Sequence, residues 1–274
     1  MQSSTSAQEP KPVQKPDNWG AQARFGMFIV GSEAVPEAEW WAMAPQGVSI
    51  HAARVTARAP WAAWNSERSG VVPADDLIRG AQQFAAMQLD AVVSGHTSSS
   101  VLGGAGWDGA LCAWLSGELK PGTRVSTNGL DCLAALSAAS VTRPLLVLPP
   151  WFGDATLSAA SAYLEAAGAP AAGYLRHDPG LDWRDVPYGE MYPRGLGFVQ
   201  DVDALYDQIV AACPRGADGV LIAGTGLRCV AIIDALENAL SRPVVAANQA
   251  SLWHCLRLAG LKPEISGYGT LFSL

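Results

Sequence analysis

The stretch Asp90-Ala-Val-Val-Ser-Gly-His-Thr-Ser-Ser-Ser100 decides the fold of this chain. Ala91, Val92 and Val93 form a short apolar run that is typical of a strand buried on both faces. Small hydroxyl residues follow at the point where this strand would end. In open parallel α/β sheets, ligands bind at the carboxyl ends of strands, so the stretch predicts a strand that leads into a binding loop.

A second copy of the pattern is Asp218-Gly-Val-Leu-Ile-Ala-Gly-Thr-Gly226, which begins 128 positions later (218 − 90 = 128). In each copy an aspartate and a small residue precede the apolar strand, and a threonine follows it. His96 corresponds to Gly224, and Thr97 corresponds to Thr225. We therefore expect two strand ends that face each other across one cleft.

Strands alternate with helices of about 12 residues along the chain, which indicates parallel βαβ units. We predict an α/β fold of two similar Rossmann-like lobes, each with a parallel sheet flanked by helices and with the site in the cleft between them. The lobes are expected over residues 21–142 and 143–274, with a last helix that can pack back on the first lobe. Residues 1–20 are expected to form a disordered tail. The segment 177–197, rich in Pro, Gly, Trp and Tyr, is expected to be an irregular lid or binding loop.

Composition excludes several classes of partner. Hydrophobic residues make up 49% of the chain, and the net charge is −7, which argues against a surface for nucleic acid. No apolar run reaches the roughly 20 residues that a membrane helix needs. The five cysteines are scattered and form no metal-binding pattern, so a reduced, cytoplasmic context is expected. We expect a small-molecule partner and neither a nucleic-acid nor a membrane partner.

Four further segments join the two copies in carrying a family resemblance. They are Gly26-Met-Phe-Ile-Val30, Arg242-Pro-Val-Val-Ala-Ala-Asn-Gln-Ala250, Trp253-His-Cys-Leu-Arg-Leu-Ala-Gly260 and Gly267-Tyr-Gly269. Over nearly all of the chain after the tail, the sequence resembles the Asp/Glu racemase superfamily. The resemblance is especially to maleate isomerase, arylmalonate decarboxylase and the ectoine-utilisation proteins. The resemblance implies chemistry without metal or organic cofactor, a small carboxylate substrate and a homo-oligomer.

The resemblance also implies one or two catalytic cysteines at the facing strand ends, and here the chain departs from it. His96 stands at the first cysteine position and Gly224 at the second. We predict that His96 replaces the thiol as acid/base, since its ordinary pKa of about 6.5 suits proton transfer at neutral pH. Glu33, at the end of the first strand, is the second catalytic candidate.

Six more residues are predicted to bind the substrate, mostly through hydroxyl and backbone N–H donors: Thr97, Ser98, Trp151, Gly224, Thr225 and Gly226. Each has a simpler interpretation as a helix cap or a packed wall.

The function predicted from these residues is an isomerase or lyase that works through an enediolate-like intermediate. One alternative is the decarboxylation of a malonate-like acid, which needs only one proton donor. Another is a hydrolase in which a His/Glu pair activates water. The alternative from another class is a non-catalytic small-molecule-binding protein that has kept the cleft and lost the chemistry.

Overall fold

The structure is a computed structural model that describes residues 18–274. Within this range the strands are β1 (Ala23–Val30), β2 (Val48–Val55), β3 (Ala62–Trp64), β4 (Val71–Pro73), β5 (Ala91–Ser94), β6 (Arg124–Thr127), β7 (Pro144–Leu148), β8 (Gly173–Arg176), β9 (Gly219–Ile222) and β10 (Val244–Ala246). The helices are α1 (Val35–Met43), α2 (Asp75–Ala85), α3 (Thr97–Gly103), α4 (Trp107–Glu118), α5 (Asn128–Ala138), α6 (Asp154–Ala166), α7 (Tyr188–Met191), α8 (Leu196–Val199), α9 (Val202–Ala212), α10 (Ile233–Leu240) and α11 (Ala247–Leu258). Short 3₁₀ turns span Leu181–Trp183, Val230–Ile232 and Leu271–Ser273.

Two four-stranded parallel sheets share one strand order. The first runs β2-β1-β5-β6 and the second β8-β7-β9-β10. In each sheet the strand that comes second in the sequence lies at one edge, and the strand that comes first lies between it and the third. The α/β fold class predicted from the alternation of strands and helices is confirmed. The lobe limits stay a prediction, and the predicted tail lies outside the described residues over positions 1–17.

The two aspartates that open the repeated pattern do the same work in each half. The Asp90 carboxylate accepts a hydrogen bond from the backbone N–H of Arg24 at 2.8 Å. The Asp218 carboxylate accepts from the backbone N–H groups of Thr142 and Arg143, also at 2.8 Å. In both cases the aspartate before the third strand of a sheet fixes the chain at the start of the first strand. The sequence repeat is therefore a structural repeat.

One apolar core connects the two sheets. Its buried members include Met27 of β1, Leu146 of β7, Leu221 of β9 and Leu256 of α11. The last helix, α11, packs against α1 and α5 of the first half as well as against the second sheet. The carboxyl ends of β1, β5, β7 and β9 are thereby held around one cleft.

The helix that follows the second copy of the repeated pattern begins late, several residues after Gly226. In the structure Cys229 lies before a 3₁₀ turn, and α10 begins only at Ile233. The reason is a tertiary contact, because the Glu39 carboxylate accepts the backbone N–H groups of Cys229 and Val230 at 2.7 and 3.0 Å. These hydrogen bonds hold the segment outside helical geometry.

The segment 177–197 also differs from the irregular loop that was expected. It contains the 3₁₀ turn Leu181–Trp183 and the short helix α7, and α8 begins near its end. Its Pro and Gly residues separate these turns rather than keep the whole segment irregular.

Candidate active site

All eight predicted site residues line one cavity of about 490 Å³. Glu33 follows β1, and His96, Thr97 and Ser98 follow β5; Trp151 follows β7, and Gly224, Thr225 and Gly226 follow β9. The cavity thus lies where both sheets present their carboxyl ends, as expected for this class of sheet. Their common location is a structural fact, while the individual roles stay predictions.

Glu33 is the buried carboxyl of the cavity, with only 5% of its surface exposed. Burial raises the pKa of Glu33 from 4.5 to about 7, because removal from water penalises the charged form. A hydrogen bond with Thr225 and the charge of Arg54 oppose this rise without cancelling it. The Arg54 guanidinium instead donates to the backbone carbonyl of Glu33 at 2.7 Å. Glu33 can therefore exchange a proton at neutral pH.

Thr225 lets the Glu33 carboxyl adopt either protonation state. The Thr225 hydroxyl lies 3.2 Å from the carbonyl oxygen of Gly95 and 3.4 Å from Glu33 Oε2. A hydroxyl has one proton to donate but can also accept. When Thr225 donates to Gly95, a protonated Glu33 can donate to Thr225, and when Glu33 is ionised Thr225 can donate to it.

His96 is held in place from two sides. Its ring stacks on Trp61, with 4.3 Å between ring centroids. Its Nδ1 lies 2.8 Å from Ser99 Oγ, which also accepts the backbone N–H of Trp61 at 2.9 Å. Nε2 has no hydrogen-bond partner among the described residues.

Burial lowers the pKa of His96 to about 3. A pKa this low does not favour the predicted acid/base role of His96, and that role stays a prediction. Desolvation disfavours the imidazolium, so His96 is neutral at pH 7.

Thr97 and Gly224 bind each other, so the Thr97 hydroxyl and the Gly224 amide are engaged within the protein, and their predicted substrate-binding roles stay predictions. The backbone N–H of Gly224 donates to Thr97 Oγ1 at 3.1 Å, and Thr97 Oγ1 donates to Asn128 Oδ1 at 2.5 Å. By contrast, the Ser98 hydroxyl and the backbone N–H groups of Thr225 and Gly226 make no hydrogen bond with any described residue. These three donors remain for a ligand.

Gly224 adopts a backbone conformation that explains why it is glycine. Its φ is +97°, and a Cβ added there would lie 2.7 Å from Pro149 Cγ. Non-glycine residues avoid this region of φ, and the cyclic side chain of Pro149 cannot give way easily. A side chain at this position, including a thiol, would require the loop to move.

Trp151 forms an aromatic wall with a residue that the sequence did not single out. Its ring meets Tyr192 edge to face, with 4.8 Å between centroids. Tyr192 directly follows α7, so the segment expected to be a lid does contribute to the cavity lining. This contact favours the packing interpretation of Trp151, whose own substrate-binding role stays a prediction.

Residues 69–272 match the family model of arylmalonate decarboxylase, which is well over half of the chain. The chain belongs to the arylmalonate decarboxylase family. This confirms the predicted place in the Asp/Glu racemase superfamily. A comparison with curated proteins finds no significant match.

Solved structures share the fold of this family member over almost its whole length. The maleate isomerase Iso from Pseudomonas putida S16 has a TM-score of 0.76 at 18% identity, covering 92% of this chain and 98% of its own. Arylmalonate decarboxylase has a TM-score of 0.69 at 20% identity, covering 91% and 99%. The maleate cis-trans isomerase of Nocardia farcinica has a TM-score of 0.73 at 15% identity, covering 91% and 97%. At these identities the likeness concerns the fold.

The cysteines of this arylmalonate decarboxylase family member lie away from the cavity. All five fall within the described residues, and none lines the cavity that contains His96. Burial raises the pKa of Cys229 and Cys255 well above the ordinary value of a thiol. Within residues 18–274 no cluster of His, Cys, Asp and Glu could hold a metal ion, and no helix could span a membrane.

Besides Tyr192, the sequence did not single out four further site residues of this family member. Ser99 and Asn128 hold His96 and Thr97, Trp61 stacks on His96, and Arg58 lines the cavity. Ser99 lies three positions after His96, which is a spacing that sequence could have used. Trp61 and Arg58 lie in an irregular segment and carry no such signal. The Arg58 guanidinium makes no hydrogen bond or ion pair with any described residue.

Proposed function

We propose that this chain is a cofactor-independent lyase that decarboxylates a small malonate-like acid, with Glu33 as the proton donor. The observation that carries the proposal is Glu33, the one buried carboxyl that the described residues place in the cavity, whose pKa of about 7 leaves it partly protonated at neutral pH. Such a group can deliver a proton and regain one from water in each cycle. Membership of the arylmalonate decarboxylase family supports the same reaction class.

The proposed step balances without a co-reactant. The bond between the central carbon and the leaving carboxylate breaks, carbon dioxide departs, and the electron pair moves into the remaining carboxylate to form an enediolate. The protonated Glu33 then gives its proton to the central carbon, and water reprotonates Glu33. The Ser98 hydroxyl and the N–H groups of Thr225 and Gly226 are assigned to the enediolate oxygens, where negative charge develops.

The walls of the cavity suit the loss of a carboxylate. Trp151, Phe152 and Tyr192 present aromatic surface to the cavity. A carboxylate placed against such surface loses hydration, whereas carbon dioxide has little hydration to lose. The leaving group is therefore assigned to the aromatic side and the retained carboxylate to the donor side.

His96 is assigned a hydrogen-bonding role rather than proton transfer. The Ser99 hydroxyl has no other acceptor among the described residues, so its proton is assigned to His96 Nδ1. Nε2 then carries the proton of the neutral ring and can donate to a substrate oxygen. No hydrogen bond joins His96 to Glu33 among the described residues, which disfavours the His/Glu pair that a hydrolase would need.

The arrangement also favours one proton-transfer group over two. Glu33 and His96 follow β1 and β5, which are neighbours in the same sheet. Two-base isomerisation needs groups on opposite faces of the substrate, and the strand end opposite His96 carries Gly224. Decarboxylation needs a proton on one face only.

Phenylmalonate and methylmalonate in deuterated water test the proposal. We expect release of carbon dioxide and one deuterium at the central carbon of the product. Glu33→Gln should lower kcat by at least about a hundredfold, the usual contribution of a general acid. Glu118→Gln is the matched control, because Glu118 is exposed at the end of α4 and makes the same change of charge.

Other results would overturn parts of the proposal. Deuterium exchange without carbon dioxide would indicate isomerisation, and unchanged turnover in Glu33→Gln would remove Glu33 from the mechanism. Saturable binding of several candidate acids without any turnover would support the non-catalytic alternative.

A further inference from the structure

A second cavity, of about 360 Å³, lies beside the first and has no role in the proposed reaction. Ala34, Ala38 and Ala42 line it from the α1 side, and Phe198 of α8 and Arg228 line it from the other half of the chain. Its volume falls in the range of small-molecule sites, which starts at about 300 Å³. The lining is mostly apolar, and Phe198 exposes 61% of its surface.

Among the described residues Arg228 is the one cation of this lining, and it is exposed at the cavity edge. Its backbone N–H and carbonyl are each bound to the Gln200 side chain at 2.9 Å, which fixes the main chain at the cavity edge. Its guanidinium makes no hydrogen bond or ion pair with any described residue. Its charge acts on the Glu39 carboxyl without a direct contact and opposes the rise of the Glu39 pKa. A guanidinium with no direct partner beside apolar surface suits an anion that carries an apolar chain.

Glu39 is the carboxyl in the lining, and its oxygens are already engaged. Oε1 accepts from the backbone N–H groups of Cys229 and Val230, and Oε2 accepts from Asn248 Nδ2 at 2.6 Å. Burial also raises the pKa of Glu39, which reduces its repulsion of a bound anion.

The two cavities are separated by a thin wall. Glu33, Tyr192 and Gly226 line the first cavity, and their near neighbours Ala34, Gly197 and Arg228 line the second. The Tyr192 ring fills the wall, because a Cβ on Gly197 or Gly226 would lie 2.7 or 2.9 Å from its Cε2. A ligand in the second cavity would therefore touch the back of the wall that carries Glu33.

We propose that this second cavity binds an amphipathic monocarboxylate, with the carboxylate on Arg228 and the alkyl chain along the alanines of α1 and Phe198. The site is independent of the proposed reaction, since it shares no residue with the cavity around Glu33.

Calorimetric titration with octanoate tests the site on the full chain. We expect one molecule bound per chain, with weaker binding of neutral octanamide and none of acetate. Arg228→Gln should weaken octanoate binding about tenfold, the value of one charge-assisted contact. Ala38→Trp, at an exposed position, should fill the cavity and abolish binding. Arg124→Gln makes the same change of charge at β6 and should bind like the parent.

Several results would overturn the proposal. They include the absence of saturable binding, equal binding by the parent, Arg228→Gln and Ala38→Trp, and displacement of octanoate by phenylmalonate, which would place it in the first cavity. A change of oligomeric state on Ala38→Trp without octanoate binding would identify this face as a contact between copies of the chain. Each variant is first checked for an unchanged circular dichroism spectrum and melting temperature.

Discussion

At the scale of single residues, Glu33 and His96 show how one environment moves two pKa values in opposite directions. Both side chains line the same cavity, and both lose water there. Desolvation favours the neutral form of each, which raises the pKa of Glu33 to about 7 and lowers the pKa of His96 to about 3. The group tuned to neutral pH is therefore the carboxyl and not the imidazole.

The pH dependence of turnover should report this tuning. Proton delivery needs protonated Glu33, so kcat/KM should fall as pH rises through about 7. A profile of phenylmalonate decarboxylation between mildly acidic and mildly alkaline pH measures this. A loss of activity on the acid side near 6.5, removed by His96→Gln, would instead show that His96 titrates in the free protein.

The same pKa predicts a stability effect with a defined sign. The folded state holds the Glu33 proton more tightly than the unfolded state. Protonated Glu33 therefore contributes fully to the free energy of unfolding below pH 4.5, and this stabilisation is lost as pH rises through about 7. A pKa of about 7 rather than 4.5 corresponds to about 3 kcal/mol. Glu33→Gln should therefore be more stable than the parent at pH 8, by up to that amount, and close to it at pH 4. Urea unfolding at both pH values measures this, and an equal difference at the two would contradict it.

At the scale of elements, the turn after β9 determines what can stand opposite His96. Gly224 combines a φ of +97° with a close approach to Pro149. Gly224→Cys should lower the free energy of unfolding by about 1–3 kcal/mol because of the backbone conformation, and by a further amount because of the clash with Pro149. Gly104→Cys is the matched control, since Gly104 has a φ of +77° and nothing within 4 Å of its added Cβ. Chemical denaturation compares the two, and a thiol at 224 no more costly than one at 104 would contradict the clash.

A network of hydrogen bonds between buried side chains links the cavity to α11. It runs from Thr97 through Asn128, which donates to Ser251 at 3.0 Å, and Ser251 donates to Asp131 at 2.6 Å. Asp131 also pairs with His254 Nδ1 at 2.6 Å. This network therefore connects α3, α5 and α11 beneath the site.

Asn128 is the central member of this network and is fully buried. Asn128→Ala leaves the Thr97 hydroxyl proton without its acceptor and removes a hydrogen bond to the Ala247 carbonyl, which should cost about 3 kcal/mol. Asn238→Ala, on the exposed face of α10, is the control and should change stability little. Urea denaturation of both variants provides the comparison. A similar loss of stability in the two variants would show that the hydrogen-bond network makes no specific contribution to the free energy of unfolding.

The sequence predicts the elements of the site better than its internal contacts. Strand ends and the paired Asp90 and Asp218 follow from local pattern, so the location of Glu33 and His96 could be predicted. The mutual hydrogen bond of Thr97 and Gly224, and the contact from Glu39 that delays α10, join residues far apart in the chain. The pKa of His96 depends on burial by Trp61 and its neighbours, which no local pattern contains. Tertiary contacts of this kind decide which donors stay free.

At the scale of the whole molecule, the apolar core and the hydrogen-bond network around Asn128 both connect the two halves. Separate unfolding of the halves would expose this shared surface, so we expect one cooperative transition. Seven of the ten tryptophans precede residue 143, so fluorescence mainly reports the first half while circular dichroism reports both. The two signals should change at the same urea concentration. Two separated transitions would show that the halves are independent.

The packing of α11 on α5 has a consequence for how the chain is made. Cys132, Ala135 and Leu136 of α5 belong to the shared core, yet α11 follows α5 by more than a hundred residues. At ordinary rates of translation that interval lasts roughly 5 to 20 seconds. The first half therefore leaves the ribosome with an apolar strip of α5 uncovered. A ribosome stalled before Ala247 presents a nascent chain that a chaperone can bind along that strip.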